Sequence, residues 1–209
     1  MEFRQLPAFC VNLDARADRW ALAEAEFARI GWPVTRWSAV CRDQSPYPKL
    51  SAAQAGCRDS HATLWRHCLA ENLEMLAVFE DDVVFPADFK DIFPLVASEL
   101  PADWELWHLH SSKARVTRVS AHLVRIIGNM WGSHGYVVSR RGCEKLLALS
   151  DQNAQPVDCY MSGAFNAAGG RVYGVPPAQA LVFQRGDDTD IPGTAQLAFW
   201  RQQRARFCR

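Results

Sequence analysis

Met75-Leu76-Ala77-Val78-Phe79-Glu80-Asp81-Asp82-Val83-Val84 is the stretch that decides the fold. Its first five residues are apolar without alternation, the pattern of a strand covered on both faces, as in parallel sheets flanked by helices. Three carboxylates follow at once. Ligands of open α/β sheets gather at the carboxyl ends of strands, so these acids stand where a ligand crevice is expected. Adjacent negative charges repel, and a bound divalent cation offsets that repulsion; ligation by oxygen alone favours Mg²⁺, Mn²⁺ or Ca²⁺ over zinc. The plainer alternative is a solvated acidic turn or a helix N-terminus that welcomes acids.

Working outward, Ala8-Phe9-Cys10-Val11-Asn12-Leu13 reads as a first strand, and Trp20, Leu22, Ala23, Phe27 and Ile30 mark a helix ending at Gly31. Residues 34–40 read as a second strand, 41–49 as a loop, and 51–73 as a helical region entered or interrupted near Gly56. Downstream, helices are expected over 86–100, 140–149, 157–168 and 195–207, and strands over 104–110, 123–127, 135–139, 171–175 and 180–183. This alternation predicts one α/β domain over 1–209 with a mostly parallel central sheet flanked by helices.

A chain of 209 residues has room for one sizeable core and one cleft. Lys plus Arg and Asp plus Glu both number 23, so no global basic field exists and bulk nucleic-acid binding is excluded as an expectation. Four lysines stand against nineteen arginines; arginine is the better bidentate phosphate partner, although composition bias explains the excess equally. Seven cysteines, with no Cys-x-x-Cys pair, fit free thiols in a reducing cytosol. The N-terminus lacks the apolar core of a signal peptide, and no run approaches the ~18 apolar residues of a membrane span. A cytoplasmic location follows as the expectation.

Asn12 ends the first strand, where it can bond a nucleoside or cap the next helix. Arg16 and Arg19 lie just beyond it, and their guanidinium forks suit a diphosphate, the alternative being helix-surface charges. Ser60 and His61 are expected at a helix start, where exposed amides meet an anion. His108-x-His110 puts two imidazoles on one strand face, a zinc-compatible spacing without an evident third ligand. His134, among Gly132, Ser133 and Gly135, suggests close backbone approach to a ligand. Of eight tryptophans, Trp131 is the one whose polar neighbours point to ligand contact. The tail at 192–209 reads as a basic helix, either docked on the domain or touching an anionic membrane surface.

Asn12-Leu13-Asp14-x-Arg16-x-x-Arg19, Gly56-x-x-x-Ser60-His61, Phe79-Glu80-Asp81-Asp82, Gly135-Tyr136-Val137-Val138-Ser139-Arg140-Arg141-Gly142 with Leu146-Leu147, and Pro156-Val157-Asp158 together resemble glycosyltransferase family 25. That family includes bacterial lipooligosaccharide galactosyltransferases and collagen hydroxylysine galactosyltransferases. The motifs come in the family's order and cover about residues 8–191. The resemblance implies a GT-A-like, Rossmann-related fold and a UDP-sugar donor, most often UDP-galactose. It also implies Mn²⁺ or Mg²⁺ at the acidic motif, a glycan or glycolipid acceptor and inversion at the transferred carbon, while a place at the inner face of the membrane is expected only if the basic tail touches that surface. On that basis Glu80 and Asp82 hold the cation, while Asp81, Asn12, Leu13, Arg16, Arg19, Ser60 and His61 contact the donor. Asp158 in the matching motif is the first candidate for the base, against a helix-capping role, and Glu144 the second. Two departures stand out: Ala39-Val40-Cys41 carries Cys where relatives commonly show Asp-Gly, and His134 occupies a position where small residues are commoner. Two other readings remain: a non-catalytic nucleotide-sugar or carbohydrate-binding relic, and a metal-dependent phosphohydrolase using the acids with His108 and His110.

Overall fold

The apolar run forms a strand, β3 (Met75–Glu80), with residues 76–79 fully covered. The computed structural model describes residues 2–111, 114–150 and 155–185; the expected terminal helix and the acids at 187–190 lie outside them. Before β3 come β1 (Ala8–Asn12), α1 (Ala17–Ile30), β2 (Thr35–Ser38) and α2 (Ala52–Ala70). After it come β4 (Val83–Val84), α3 (Phe89–Ser98), β5 (Leu106–His108), β6 (Val116–Arg118), β7 (Val124–Ile126), β8 (Gly135–Ser139) and α4 (Arg140–Ser150). The last described elements are α5 (Val157–Cys159), a π-helical turn (Tyr160–Ala164), α6 (Phe165–Ala167), β9 (Val172–Gly174) and β10 (Phe183–Gln184).

Eight strands form one sheet in the order β2-β1-β3-β8-β5-β9-β7-β6. The pairings β1–β2, β1–β3 and β5–β9 are parallel; β8 runs against both neighbours, as does β7. Six strands therefore share one direction, and the α/β architecture with a mostly codirectional sheet matches expectation. The lack of alternation in β3 has a direct cause. Ala77 and Phe79 join Phe27 and Ile30 of α1 and Phe89 and Phe93 of α3 on one face. Leu76 and Val78 join Leu64, Trp65 and Cys68 of α2 and Leu146 of α4 on the other. Each large side chain buried this way contributes roughly 1.5–3 kcal/mol.

Local chemistry sets the helix ends. Helix α1 stops where Gly31 takes φ 69°, and the N–H of Gly31 bonds Ala28 O at 3.1 Å. Helix α2 is capped at the first residue of the expected region, Ser51, whose hydroxyl accepts from Gln54 N while the Gln54 side chain accepts from Ser51 N, and it is unbroken at Gly56. Gly56 is therefore inside the helix. A Cβ there would stand 2.5 Å from Val40 O, so glycine lets α2 lie against the chain leaving β2.

Candidate active site

The parallel strands β1 and β3 end side by side, with Val11 paired to Glu80, and β8 starts at the same edge with Gly135 opposite Phe79. Asn12, the acidic motif and the loop before β8 therefore converge. Asn12 Nδ2 donates to Asp81 Oδ2 at 2.6 Å and to Arg16 O at 3.0 Å, while Arg36 Nε donates to Asn12 Oδ1 at 2.9 Å. Asn12 is 1% exposed, so its amide is a fixed strut. Arg19 Nη2 lies 2.5 Å from Asp81 Oδ1 and 3.5 Å from Asp82 Oδ2. The turn is clamped from the far end of the chain. β4 pairs antiparallel with β10, Gln184 Nε2 donates to Asp82 Oδ2 at 2.8 Å, and Arg185 N donates to Asp82 O at 2.6 Å.

Glu80 is held differently. Ser133 Oγ donates to its Oε1, and His61 Nε2 stands 3.4 Å from the same oxygen. Tyr136 OH accepts from Trp65 Nε1 at 3.0 Å and meets His61 Nδ1 at 2.9 Å. The indole N–H occupies one lone pair of the Tyr136 oxygen, and the second lone pair and the phenolic proton let either tautomer of His61 bond it through Nδ1. Burial works to raise the Glu80 pKa, but His61 and Ser133 outweigh it and hold the carboxyl below its usual range. Asp82 goes the other way: burial, reinforced by Glu80, pushes it up to about 7 against the pull of Arg19. Asp82 Oδ1 is buried without a hydrogen-bond partner among the described residues. A buried carboxylate oxygen left unsatisfied is costly, and a divalent cation is the partner that such an oxygen fits. The donor set thus suits an oxygen-ligated cation.

The loop before β8 ties this corner to Asp158. Gly132 N donates to Asp158 Oδ2 at 3.0 Å and Cys159 N to Oδ1 at 2.7 Å, while the next residue, Ser133, holds Glu80. Burial raises the Asp158 pKa, offset in part by those backbone donors. Gly132 has φ 93°, a conformation that favours glycine, and Trp131 beside it is 42% exposed.

The structure therefore brings together Asn12, Arg19, His61, Glu80, Asp81, Asp82 and Asp158, and corrects other expectations. Glu144 does not reach this edge. Arg140 N bonds Glu74 O at the opposite end of β3, about 17 Å away for five strand steps, and Glu144 pairs with Arg140 at 3.7 Å. Ser60 and His61 lie in the middle of α2, not at its start, so no free helix amides surround them. Ser60 Oγ instead bonds Gly56 O and Val40 N, pinning the chain after β2. Arg16 makes a two-pronged surface pair with Asp18, both contacts at 3.0 Å, and Leu13 contributes its carbonyl to Arg16 N and Arg36 Nη2. His108 is fully buried and His110 is 1% exposed. Burial holds both imidazoles below the ordinary range, His110 at about 4, which leaves them neutral and out of reach of a phosphate ester. Arg36, Ser133 and Gln184 are additional site residues. Arg36 is legible only as the second residue of a strand, Ser133 comes from the loop before β8, and Gln184 comes from the short strand β10.

A family profile described as "Glycosyltransferase family 25 (LPS biosynthesis protein)" matches residues 5–129. The chain belongs to glycosyltransferase family 25. This family 25 chain is 27% identical over 184 residues to "Lacto-N-neotetraose biosynthesis glycosyltransferase LgtB" of Neisseria meningitidis serogroup B, covering 74% of this chain and 67% of that protein. It is 31% identical over 134 residues to "Probable inactive glycosyltransferase 25 family member 3" of Bos taurus, and 28% identical over 135 residues to human "Procollagen galactosyltransferase 2". Those matches cover 59% and 60% of this chain but 22% and 21% of the animal proteins, so it spans about a fifth of their length. The fold is GT-A-like. A mutant Drosophila beta-1,4-galactosyltransferase 7, solved with manganese, UDP-Gal and xylobiose, shares it at TM-score 0.50 and 11% identity over 93% of this chain and 78% of that one. Among the described residues no helix is long and apolar enough to cross a membrane.

Proposed function

We propose that the chain is a metal-dependent hexosyltransferase that moves galactose from UDP-galactose to a hydroxyl of a lipooligosaccharide-type acceptor, with inversion at the transferred carbon. The observation that carries this reading is the unsatisfied, buried Asp82 oxygen beside ionised Glu80 at the carboxyl edge of the sheet. Relatives named for lacto-N-neotetraose biosynthesis and procollagen galactosyl transfer support the donor sugar, and the fly enzyme of the same fold binds manganese and UDP-Gal. The free cysteines agree with a cytoplasmic site of action.

Glu80 and Asp82 would hold Mn²⁺ or Mg²⁺, which supplies Lewis-acid stabilisation of charge on the departing diphosphate. Asn12, fixed by Arg36, holds Asp81 in place, and Arg19 sets a positive charge between the acids and the donor phosphates. Asp158 takes the proton of the acceptor hydroxyl. As that oxygen bonds the anomeric carbon, the carbon–diphosphate bond breaks on the opposite side, and the nucleotide leaves as UDP. Each Asp158 oxygen spends one lone pair on a backbone N–H and keeps another for the acceptor, and its raised pKa makes it a better proton acceptor.

The test is galactose transfer from UDP-galactose after chelation and Mn²⁺ addition. Wild type should lose turnover with chelator and regain it with Mn²⁺, and Asp82→Asn should lower turnover by roughly a hundredfold or more. Full metal-dependent turnover in Asp82→Asn sinks the reading. One observation favours a second: the Arg19 guanidinium already sits against Asp81 and Asp82 and can serve in place of a cation, as in a nucleotide-sugar-binding relic. UDP-galactose binding by calorimetry without any transfer or hydrolysis selects that alternative.

A further inference from the structure

We propose that Cys57, His61 and Glu80 form a second cation site, built for a zinc-type ion held by sulfur, nitrogen and oxygen together. Their ligand atoms all lie within 4.8 Å of one another, a grouping found only here among the described residues. Cys57 and His61 stand four residues apart on α2, which puts both on one helix face, the spacing helical metal motifs use. Glu80 reaches them from the end of β3.

The geometry agrees with tetrahedral coordination. With metal–ligand bonds of 2.0–2.3 Å, neighbouring ligand atoms in a tetrahedron sit about 3.4–3.6 Å apart. His61 Nε2 and Glu80 Oε1 are 3.4 Å apart, and the Cys57 ligand atom lies within 4.8 Å of those of both partners. His61 is fully buried, its Nε2 points at Glu80 without making a hydrogen bond, and its Nδ1 is oriented by Tyr136. With Nδ1–H donated to the second lone pair of the Tyr136 oxygen, the Nε2 lone pair is turned toward a cation, the steering through the other nitrogen that metal-binding histidines use. The surroundings are negative: the carboxylates of Glu80, Asp158 and Asp82 all act on the Cys57 sulfur. The same field that resists a bare thiolate favours a cation that binds as the thiol proton leaves. Three protein ligands leave a fourth tetrahedral position for water.

This site differs in chemistry from an oxygen-held cation at Glu80 and Asp82 and does not rest on the transferase reading. Glu80 serves both, so the two ions draw on one carboxylate.

Cobalt(II) titration of chelator-treated protein in a non-thiol reductant tests the proposal. The expected result is one equivalent bound with a near-ultraviolet thiolate-to-cobalt band and intense four-coordinate visible bands, displaced by one equivalent of zinc. Cys57→Ser should lose the near-ultraviolet band, and Asp82→Asn should keep it. A weak six-coordinate spectrum, or a thiolate band that persists in Cys57→Ser, overturns the site. A second measurement uses wild type alone and needs no folded variant. Zinc should slow alkylation of Cys57, read by peptide mass spectrometry, by about tenfold or more while leaving exposed Cys41 unchanged. Equal rates with and without zinc also overturn it. Loss of galactose transfer in any of these samples bears on the transferase reading and not on the cobalt spectrum.

Discussion

Two buried carboxylate corners sit at opposite ends of the sheet, and they are satisfied in opposite ways. At the amino end of β5, Glu105 is 2% exposed, and both its oxygens are occupied. Arg141 Nε and Lys145 Nζ contact Oε1 at 2.8 and 2.6 Å, and Arg171 N donates to Oε2 at 2.9 Å. At the carboxyl end of β3, three acids share Arg19, Asn12, Ser133 and Gln184, and one Asp82 oxygen has no hydrogen-bond partner among the described residues. Burial alone therefore does not mark a site. A closed account of donors and acceptors is architecture, whereas a deficit held in place by rigid strands is a vacancy for a ligand.

The largest effect expected from this contrast is on turnover. Asp158→Ala should lower kcat by about 10²–10⁴, the range for loss of a general base, while Glu105→Gln should leave steady-state rates per folded molecule unchanged. Equal losses in both would break the comparison. Stability should show the reverse. Glu105→Gln removes charge-assisted bonds to two half-exposed cations and a backbone N–H, and urea unfolding should show a loss of about 1–3 kcal/mol. Asp82→Asn, which removes a buried charge that Arg19 and Gln184 compensate only in part, should be neutral or stabilising in the same titration.

The pH dependence sharpens the point. Asp82 titrates near 7 when folded and near 3.8 when unfolded, so between those values the folded state binds more protons. Its ionisation penalty is fully present above pH 7 and is relieved as pH falls toward 4. The stability gap between Asp82→Asn and wild type should therefore shrink as pH falls through that window. Glu80, held low, begins to lose its own contribution only below its ordinary value of 4.5. The smallest effect is reserved for Glu144→Gln, which should change stability by no more than about 0.5 kcal/mol and leave transfer rates untouched.

Much of this was readable from residue order, and the remainder depends on topology. β3 was legible because a strand packed on both faces leaves an unbroken apolar run, and the acids directly after it marked the carboxyl edge of the sheet. Asn12 and Arg19 were legible as residues just past β1. The direction of β8 was not, since Gly135–Ser139 reads the same whichever way it runs, and that direction decides that Arg140 and Glu144 leave the site behind. The hairpin β6–β7 was half hidden, because Thr117 and Arg118 are exposed and give no apolar signal. The start of α2 had a readable Ser51-x-x-Gln54 cap, but Gly56 drew attention as a boundary when its role is close approach to Val40. Ser133 and Gln184 carry no signature, because their meaning comes only from where the sheet delivers them.

The clamp of Gln184 on Asp82 spans 102 residues of sequence. During synthesis the acidic turn leaves the ribosome early, yet the bonds that fix it require chain that emerges long afterwards. A nascent polypeptide halted before residue 184 would carry β1, β3 and all three acids without the brace that aims them. The proposed nucleotide-sugar recognition should thus appear abruptly once residue 184 is outside the ribosome, and it should serve as a reporter of the docking of β10 on β4.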